Sequence, residues 1–122
     1  MKGNRYLKGK LGEDLALEFL LNEGFSLRER NCRVGHKELD LVMESARHIH
    51  IVEVKSIEKN GSDPSEKVDG TKIRRLTAAA GEYLAVNHIS KEIQFDVVTV
   101  VFDGTDFGLE YIPNAFYPIY YR

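Results

Sequence analysis

The stretch His48-Ile49-His50-Ile51-Val52-Glu53-Val54-Lys55 decides the fold. It is apolar on both faces through its middle, the pattern of a central strand. A strand puts residues two apart on one face. Ile49, Ile51 and Glu53 therefore point one way, and His50, Val52 and Val54 the other. Glu53 and Lys55 share a face, roughly 6–7 Å apart along the strand. An acid and a base that end an apolar strand need either solvent or a chemical task. A second strand-like run, residues 37–43, lies just upstream with Asp40 in it. The link Glu44-Ser45-Ala46-Arg47 is short enough for a hairpin. That hairpin returns Asp40 beside Glu53. Two carboxylates and a lysine at one site suit a divalent metal and an activated water. The plain alternative is a cross-strand salt bridge, worth ~0–1 kcal/mol when exposed.

On the N-terminal side, residues 10–23 read as an amphipathic helix. Leu11, Leu15, Ala16, Phe19 and Leu20 form its stripe, and Gly24 is a natural stop. Glu13 falls in its first turn, where the helix dipole favours an acid. Residues 25–33 read as an edge strand ahead of the Gly35-His36 turn. On the C-terminal side, residues 57–70 are polar and aperiodic and read as a loop, long for a small domain. Asp69 or Thr71 then caps a helix over 72–86, with Ile73, Leu76, Ala80, Tyr83 and Leu84 buried. Lys72, Arg74 and Arg75 crowd its first turn, where positive charge opposes the dipole and favours an anionic neighbour. Residues 92–102 are a β-branched strand, Asp103-Gly104-Thr105-Asp106 a hairpin turn, and residues 108–112 the returning strand, ended by Pro113. The order helix, three strands, helix, two strands predicts an α/β chain with a mixed sheet between helices.

At 122 residues the chain is expected to be a single domain, 1–122. No run approaches the ~18–20 apolar residues of a membrane span. No apolar signal core follows the basic start, so a cytoplasmic protein is expected. The lone Cys32 excludes an internal disulfide and a cysteine metal cluster. His48 and His50 share a strand face, but no further His or Cys has zinc spacing. The net charge of −2 disfavours tight nonspecific binding of nucleic acid. The charge is uneven, however. Residues 1–37 hold eight Lys/Arg against five Asp/Glu, and residues 92–122 one Arg against five acids. A basic face is compatible with that asymmetry. The aromatic tail, residues 116–121, is expected to pack on the domain or on a second subunit.

Phosphodiester hydrolysis needs a nucleophilic water, charge stabilisation and help for the leaving oxygen. A Mg²⁺ ion held by one or two carboxylates supplies much of this. Asp40 and Glu53 are ligands of that type, the Val54 carbonyl adds an oxygen, and Lys55 orients or deprotonates the water. Glu13 or Glu38 is placed to complete the shell.

Asp40 with Glu53-Val54-Lys55 resembles the PD-(D/E)XK nuclease superfamily of restriction endonucleases and Holliday-junction resolvases. Over nearly the full length the chain is similar to the YraN-type proteins of that superfamily. The similarity lies in Gly9-Lys10-Leu11-Gly12-Glu13-Asp14-Leu15-Ala16, Arg30-Asn31-Cys32-Arg33, Glu38-Leu39-Asp40-Leu41-Val42, Val52-Glu53-Val54-Lys55, Lys72, Gln94-Phe95-Asp96 and Pro113-Asn114-Ala115-Phe116. The resemblance implies a restriction-endonuclease-like three-layer fold, a central mixed β-sheet flanked by helices. It implies Mg²⁺ (or Mn²⁺) on Asp40, Glu53 and the Val54 carbonyl, with Glu13 at an outer or second position. Lys55 serves the water. The implied activity is hydrolysis of DNA, branched or single-stranded, with Lys72, Lys10 and Arg33 toward nucleic acid. DNA is favoured over RNA, and a homodimer is a candidate assembly. Ile57 stands where the pattern has Arg, which removes a phosphate contact. A noncatalytic nucleic-acid-binding module and a protein-interaction scaffold are the alternatives.

Overall fold

The computed structural model of the chain describes residues 2–60 and 69–120, with side chains from Leu7 onward. The elements are α1 (Lys2–Asn22), β1 (Ser26–Val34), β2 (Lys37–Glu44), β3 (His48–Glu58), α2 (Gly70–Val86), β4 (Glu92–Asp103) and β5 (Asp106–Phe116). The strands lie in chain order, β1-β2-β3-β4-β5. Every pairing is antiparallel except β3 with β4, which is parallel. A parallel pair needs a crossover, and α2 supplies it. The sheet is mixed and β3 is central, as its two-faced apolar pattern predicts.

The alternation of β3 builds two cores, one for each helix. Ala16 and Leu20 of α1 bury against Leu41, Met43, Val52, Val98, Val100 and Phe102. Leu76, Ala79, Ala80 and Tyr83 of α2 bury against Leu39, Val42, Ile49, Ile51 and Phe95. Fully burying one such Leu, Ile or Phe side chain is worth about 1.5–3 kcal/mol. This is an α/β sandwich of helix, mixed sheet and helix, consistent with the restriction-endonuclease-like fold that the resemblance implies. Among the described residues, no helix is long and apolar enough to cross a membrane.

Several local expectations are corrected. α1 begins at Lys2 rather than at residue 10. Glu13 therefore sits in the helix interior, where the terminal dipole has decayed, so the dipole does not explain it. Leu11 is 46% exposed, and Gly12 takes the sheet-facing place beside it. β3 continues to Glu58, two residues into the expected loop, while residues 61–68 of that loop lie outside the described residues. Asp69, not Thr71, caps α2, accepting the Lys72 N–H at 2.9 Å. Pro113 does not end β5. The register shifts between the pairs Val97↔Ile112 and Phe95↔Phe116, and the strand resumes beyond a bulge. An edge strand tolerates Pro there because its outer N–H row needs no partner. Phe116 stacks on Phe95 with ring centroids 4.9 Å apart, so the start of the aromatic tail packs on its own domain.

Gly12 marks the closest approach of α1 to β3. A Cβ there would overlap Ser56 Oγ and come within 3.2 Å of Ser56 Cβ. Gly12→Ala is expected to lose about 1–2 kcal/mol, because overpacking outweighs the ~1 kcal/mol gain in helix propensity. Gly12→Ala with Ser56→Ala should recover most of the loss. Urea midpoints check both variants, and a Gly12→Ala protein as stable as wild type would refute the close contact.

Candidate functional site

The sheet splits at the sequence-predicted site. β2 and β3 are registered only through Leu41↔Val52, Val42↔Ile51, Met43↔His50 and Glu44↔Ile49. Beyond Leu41 and Val52 each strand stays with its outer neighbour. β2 follows β1 down to Lys37, and β3 follows β4 to Glu58. A wedge opens between them, and Asp40 and Glu53 are the first residues past its apex. Backbone groups that lose a strand partner must find another. The Val54 N–H finds the Asp40 carboxylate, donating to Oδ2 at 2.9 Å. The hairpin of the sequence reading thus forms, and it does bring Asp40 to Glu53 and Val54.

Strand β2 also turns over at this point. Leu39 belongs to the α2-side core and Leu41 to the α1-side core, although a regular strand would put both on one face. Opposite Asp40 on β1, between the pairs Arg30↔Leu41 and Cys32↔Leu39, lies Asn31. Its φ of 52° is left-handed, a conformation that Asn tolerates better than most residues. The twist in the edge pair coincides with the mouth of the wedge.

Electrostatics at the wedge are strained. Burial pushes the Asp40 carboxyl up to about 7, and the charge of Glu53 adds to it. The Val54 N–H works the other way but does not win. Two carboxylates this close repel, which disfavours the charged form of Asp40. Glu53 Oε1 is buried with no hydrogen-bond partner. A buried carboxylate oxygen left unsatisfied costs free energy unless a cation or proton meets it.

Glu13 completes an outer ring. Burial raises its pKa and the Asp40 charge raises it further, while Arg30 and Asn31 oppose both. Arg30 Nε lies 3.5 Å from Glu13 Oε1, and Arg30 Nη2 lies 2.7 Å from Asp14 Oδ1. Arg30 and Asn31 are site residues to which the sequence reading gave no role. Their pairing with α1 spans about seventeen residues, and no local pattern announces it.

Other predicted residues are dispersed. Lys55 is half-buried on β3 beside Thr99 of β4. Lys72 lines an open groove of about 1010 Å³ between the β1–β2 turn and α2, with Lys37, Arg75 and His36. Asp69 and Glu82 line it too, so its positive charge is modest. Lys37 is three residues from Asp40 along β2, which puts the groove roughly 10 Å from the wedge. Lys10 and Arg33 are exposed and do not line the groove. His48 and His50 have ring centroids 5.9 Å apart, but His50 is taken up by Asp96 and Ser45. Among the described residues, no group of three or more His, Cys, Asp or Glu side chains is arranged to hold a metal ion. The donors in reach at the wedge are a carboxylate pair and main-chain oxygen, a set that suits a hard cation retaining several waters.

Known proteins resemble the chain along most of its length. A UPF0102 protein of Phocaeicola vulgatus is 38% identical over 111 residues, covering 90% of this chain and 92% of that one. One from Bacteroides thetaiotaomicron is 39% identical with the same coverage. One from Persephonella marina is 37% identical over 113 residues, 91% of this chain and 94% of that one. The profile of the uncharacterised protein family UPF0102 matches residues 12–100, a span that holds Glu13, Asp40, Glu53, Lys55 and Asp96. With a profile match over most of its length and relatives above a third identical across nine-tenths of it, this chain belongs to the uncharacterised protein family UPF0102.

Proposed function

We propose that the chain is a divalent-metal-dependent nuclease of the PD-(D/E)XK type, with DNA as its substrate. The observation that carries this reading is the half-buried carboxylate pair at the split in the sheet, with the buried Glu53 Oε1 lacking a hydrogen-bond partner. Asp40, Glu53 and the Val54 carbonyl would hold Mg²⁺ or Mn²⁺, and Glu13 would act through the outer ring. The bound cation would polarise the phosphate and lower the pKa of water. Asp40 accepts the Val54 N–H, which fixes the carboxylate in the wedge. Arg30 steers Glu13. Lys55 orients or deprotonates the attacking water, a role whose loss costs typically 10²–10⁴-fold in rate. The Lys37, Lys72 and Arg75 side of the groove guides the phosphate backbone.

The test is cleavage of branched and single-stranded DNA with Mg²⁺ or Mn²⁺. Lys55→Ala should cut at least about 100-fold more slowly than wild type. Identical behaviour of the two on every substrate would reject the catalytic assignment. Ile57, half-buried in β3 opposite Val101, favours a second reading, a noncatalytic nucleic-acid-binding module. Binding that survives EDTA and Asp40→Ala but weakens steeply with salt selects that reading.

A further inference from the structure

At the closed end of the β2–β3 hairpin lies a second set of reactive groups that the nuclease reading does not use. Ser45 begins the turn, its N–H donating to the His48 carbonyl at 3.0 Å. Its Oγ is 2.8 Å from His50 Nε2. His50 Nδ1 is 2.7 Å from Asp96 Oδ2. Asp96 is fully buried and His50 is 4% exposed. Tyr111 OH donates to Asp96 Oδ2 at 2.7 Å, and Gln94 Nε2 and the Asn114 N–H donate to Oδ1 at 2.9 and 3.0 Å. An ionised carboxylate only accepts, so Nδ1 carries the proton that faces it. Nε2 is then left to accept from the Ser45 hydroxyl. The edge-on ring of Phe25, 4.8 Å away, holds the imidazole in plane. Serine, histidine and aspartate so linked have the geometry of a base-activated nucleophile.

The surroundings fit that role. Lys91 Nζ donates to the Ser45 carbonyl at 2.8 Å and pairs with Glu44 Oε2 at 2.7 Å. Lys91 thereby fixes the main chain of the serine beside the imidazole. Ser45 itself is partly exposed, and its neighbours Ala46 and Arg47 are exposed. A reagent can reach the hydroxyl from the turn side. Ser45 lies five residues along β2 from Asp40 and His50 three along β3 from Glu53, roughly 16 and 10 Å, so the two sites are distinct.

We propose that Ser45, His50 and Asp96 form an acyl-transfer site that takes short acyl groups from activated carboxylic esters. Ser45 Oγ attacks the ester carbonyl carbon while its proton passes to His50 Nε2. The tetrahedral adduct collapses, the carbon–oxygen bond to the leaving group breaks, and that oxygen takes the proton from Nε2. Water then attacks the acyl carbon, gives its proton to Nε2, and the proton returns to Ser45 Oγ as the carboxylic acid leaves. Asp96 is a positioning residue that holds the imidazole tautomer.

The experiment uses the whole protein with p-nitrophenyl acetate and, separately, an alkyl fluorophosphonate, with adducts located by peptide mass spectrometry. Fluorophosphonate forms an Oγ–phosphorus bond with loss of fluoride and traps the serine. Ser45 should label about 100-fold faster than the exposed Ser26 and Ser90, and EDTA should not change the rate. His50→Gln should bring Ser45 down to their rate, and Ser45→Ala should abolish the nitrophenol burst. Labelling of Ser45 no faster than Ser26 or Ser90 in the wild-type protein overturns the proposal, and that comparison needs no variant to fold. Equal Ser45 labelling in wild type and folded His50→Gln overturns it as well. Because neither readout needs a metal or DNA, failure here leaves the nuclease reading untouched.

Discussion

Asp40→Asn is expected to make the metal-free protein more stable at pH 8, by roughly 2–4 kcal/mol. The Asp40 carboxyl has an ordinary value of 3.8 and is pushed up to about 7 by burial and then by Glu53. The folded protein therefore keeps a proton that the unfolded chain releases between about pH 4 and 7. Stability from this group is complete below the unfolded value and is lost as pH rises through the folded one. Above neutral pH two half-buried carboxylates face each other. Asparagine ends the conflict, because its amide donates to Glu53 while its carbonyl still accepts the Val54 N–H. Urea denaturation at pH 5 and pH 8 checks the sign. The variant should gain on wild type at pH 8 and lose most of that advantage at pH 5. Parallel pH profiles for the two proteins would sink the electrostatic account of the wedge. On the proposed metal-site reading, a divalent cation should close most of that gap. At a hundredfold excess over its Kd it would stabilise wild type by about 2.7 kcal/mol and should leave Asp40→Asn unmoved.

That expectation rests on a geometry only half visible in the sequence. The period-two alternation of residues 48–55 sets which side chains share a face, and the four-residue link after Glu44 sets the hairpin. Together they bring Asp40 to Glu53, because strand registers follow from hydrophobic pattern and turn length. The split beyond Leu41 and Val52 is different. It depends on β1 and β4 pulling their partners apart, a contest between pairings that no window of sequence contains. Asn31 shows the same limit, since Asn tolerates a left-handed backbone but takes it up only where the twist demands it. Glu13 falls in a first turn only if the helix starts at residue 10, and Gly9 just before that point weakens helix propensity. The helix nonetheless runs through Gly9 from Lys2, and Gly12 is there for its contact with Ser56. Pro113 was misread for a related reason: on an edge strand a bulge absorbs it.

The Ser45–His50–Asp96 set was least legible. His50 looked like one half of a two-histidine strand face, and Asp96 like one letter of a β-branched strand. Parallel pairing sets Val52 opposite Asp96, and that register alone brings the carboxylate under the His50 ring, two residues back on the same face. A parallel neighbour is chosen by the crossover helix, and Asp96 lies 46 residues of chain away from the histidine that needs it. Ser45 lies in the link between the strands, outside the regular pattern, where it is placed to reach the ring.

Asp96→Ala should be among the most damaging single substitutions in the chain, at about 3–5 kcal/mol. Typical domains have only about 5–15 kcal/mol of stability in total, so the variant should be partly unfolded at 37 °C. The loss is large because four donors converge on one carboxylate and all of them are left without it. Two come from side chains on β3 and β4, His50 and Gln94. The other two come from β5, the Tyr111 hydroxyl and the Asn114 N–H. Asn114 has a φ of 51° within the bulge that follows Pro113. Asp96 therefore pins the irregular part of the edge strand to the sheet centre. Burial alone would push its carboxyl up, but the bonds from His50, Tyr111, Gln94 and Asn114 outweigh it and hold the group below its ordinary value of 3.8. Stability from such a group is present above the unfolded value and is lost as pH falls through the folded one. Wild type should accordingly weaken below about pH 4, and Asp96→Ala should show a shallower acid limb from a lower plateau. Urea midpoints at pH 7 and pH 3 measure both. Asp96→Asn separates charge from shape, since its amide still accepts on one side but presents a donor to the other. It should recover the Asn114 and Gln94 bonds and fail at His50 and Tyr111, with a loss between those of wild type and alanine. A loss under about 1 kcal/mol for Asp96→Ala at pH 7 would mean that water replaces the carboxylate, and the network would then be a solvated edge, not a structural centre.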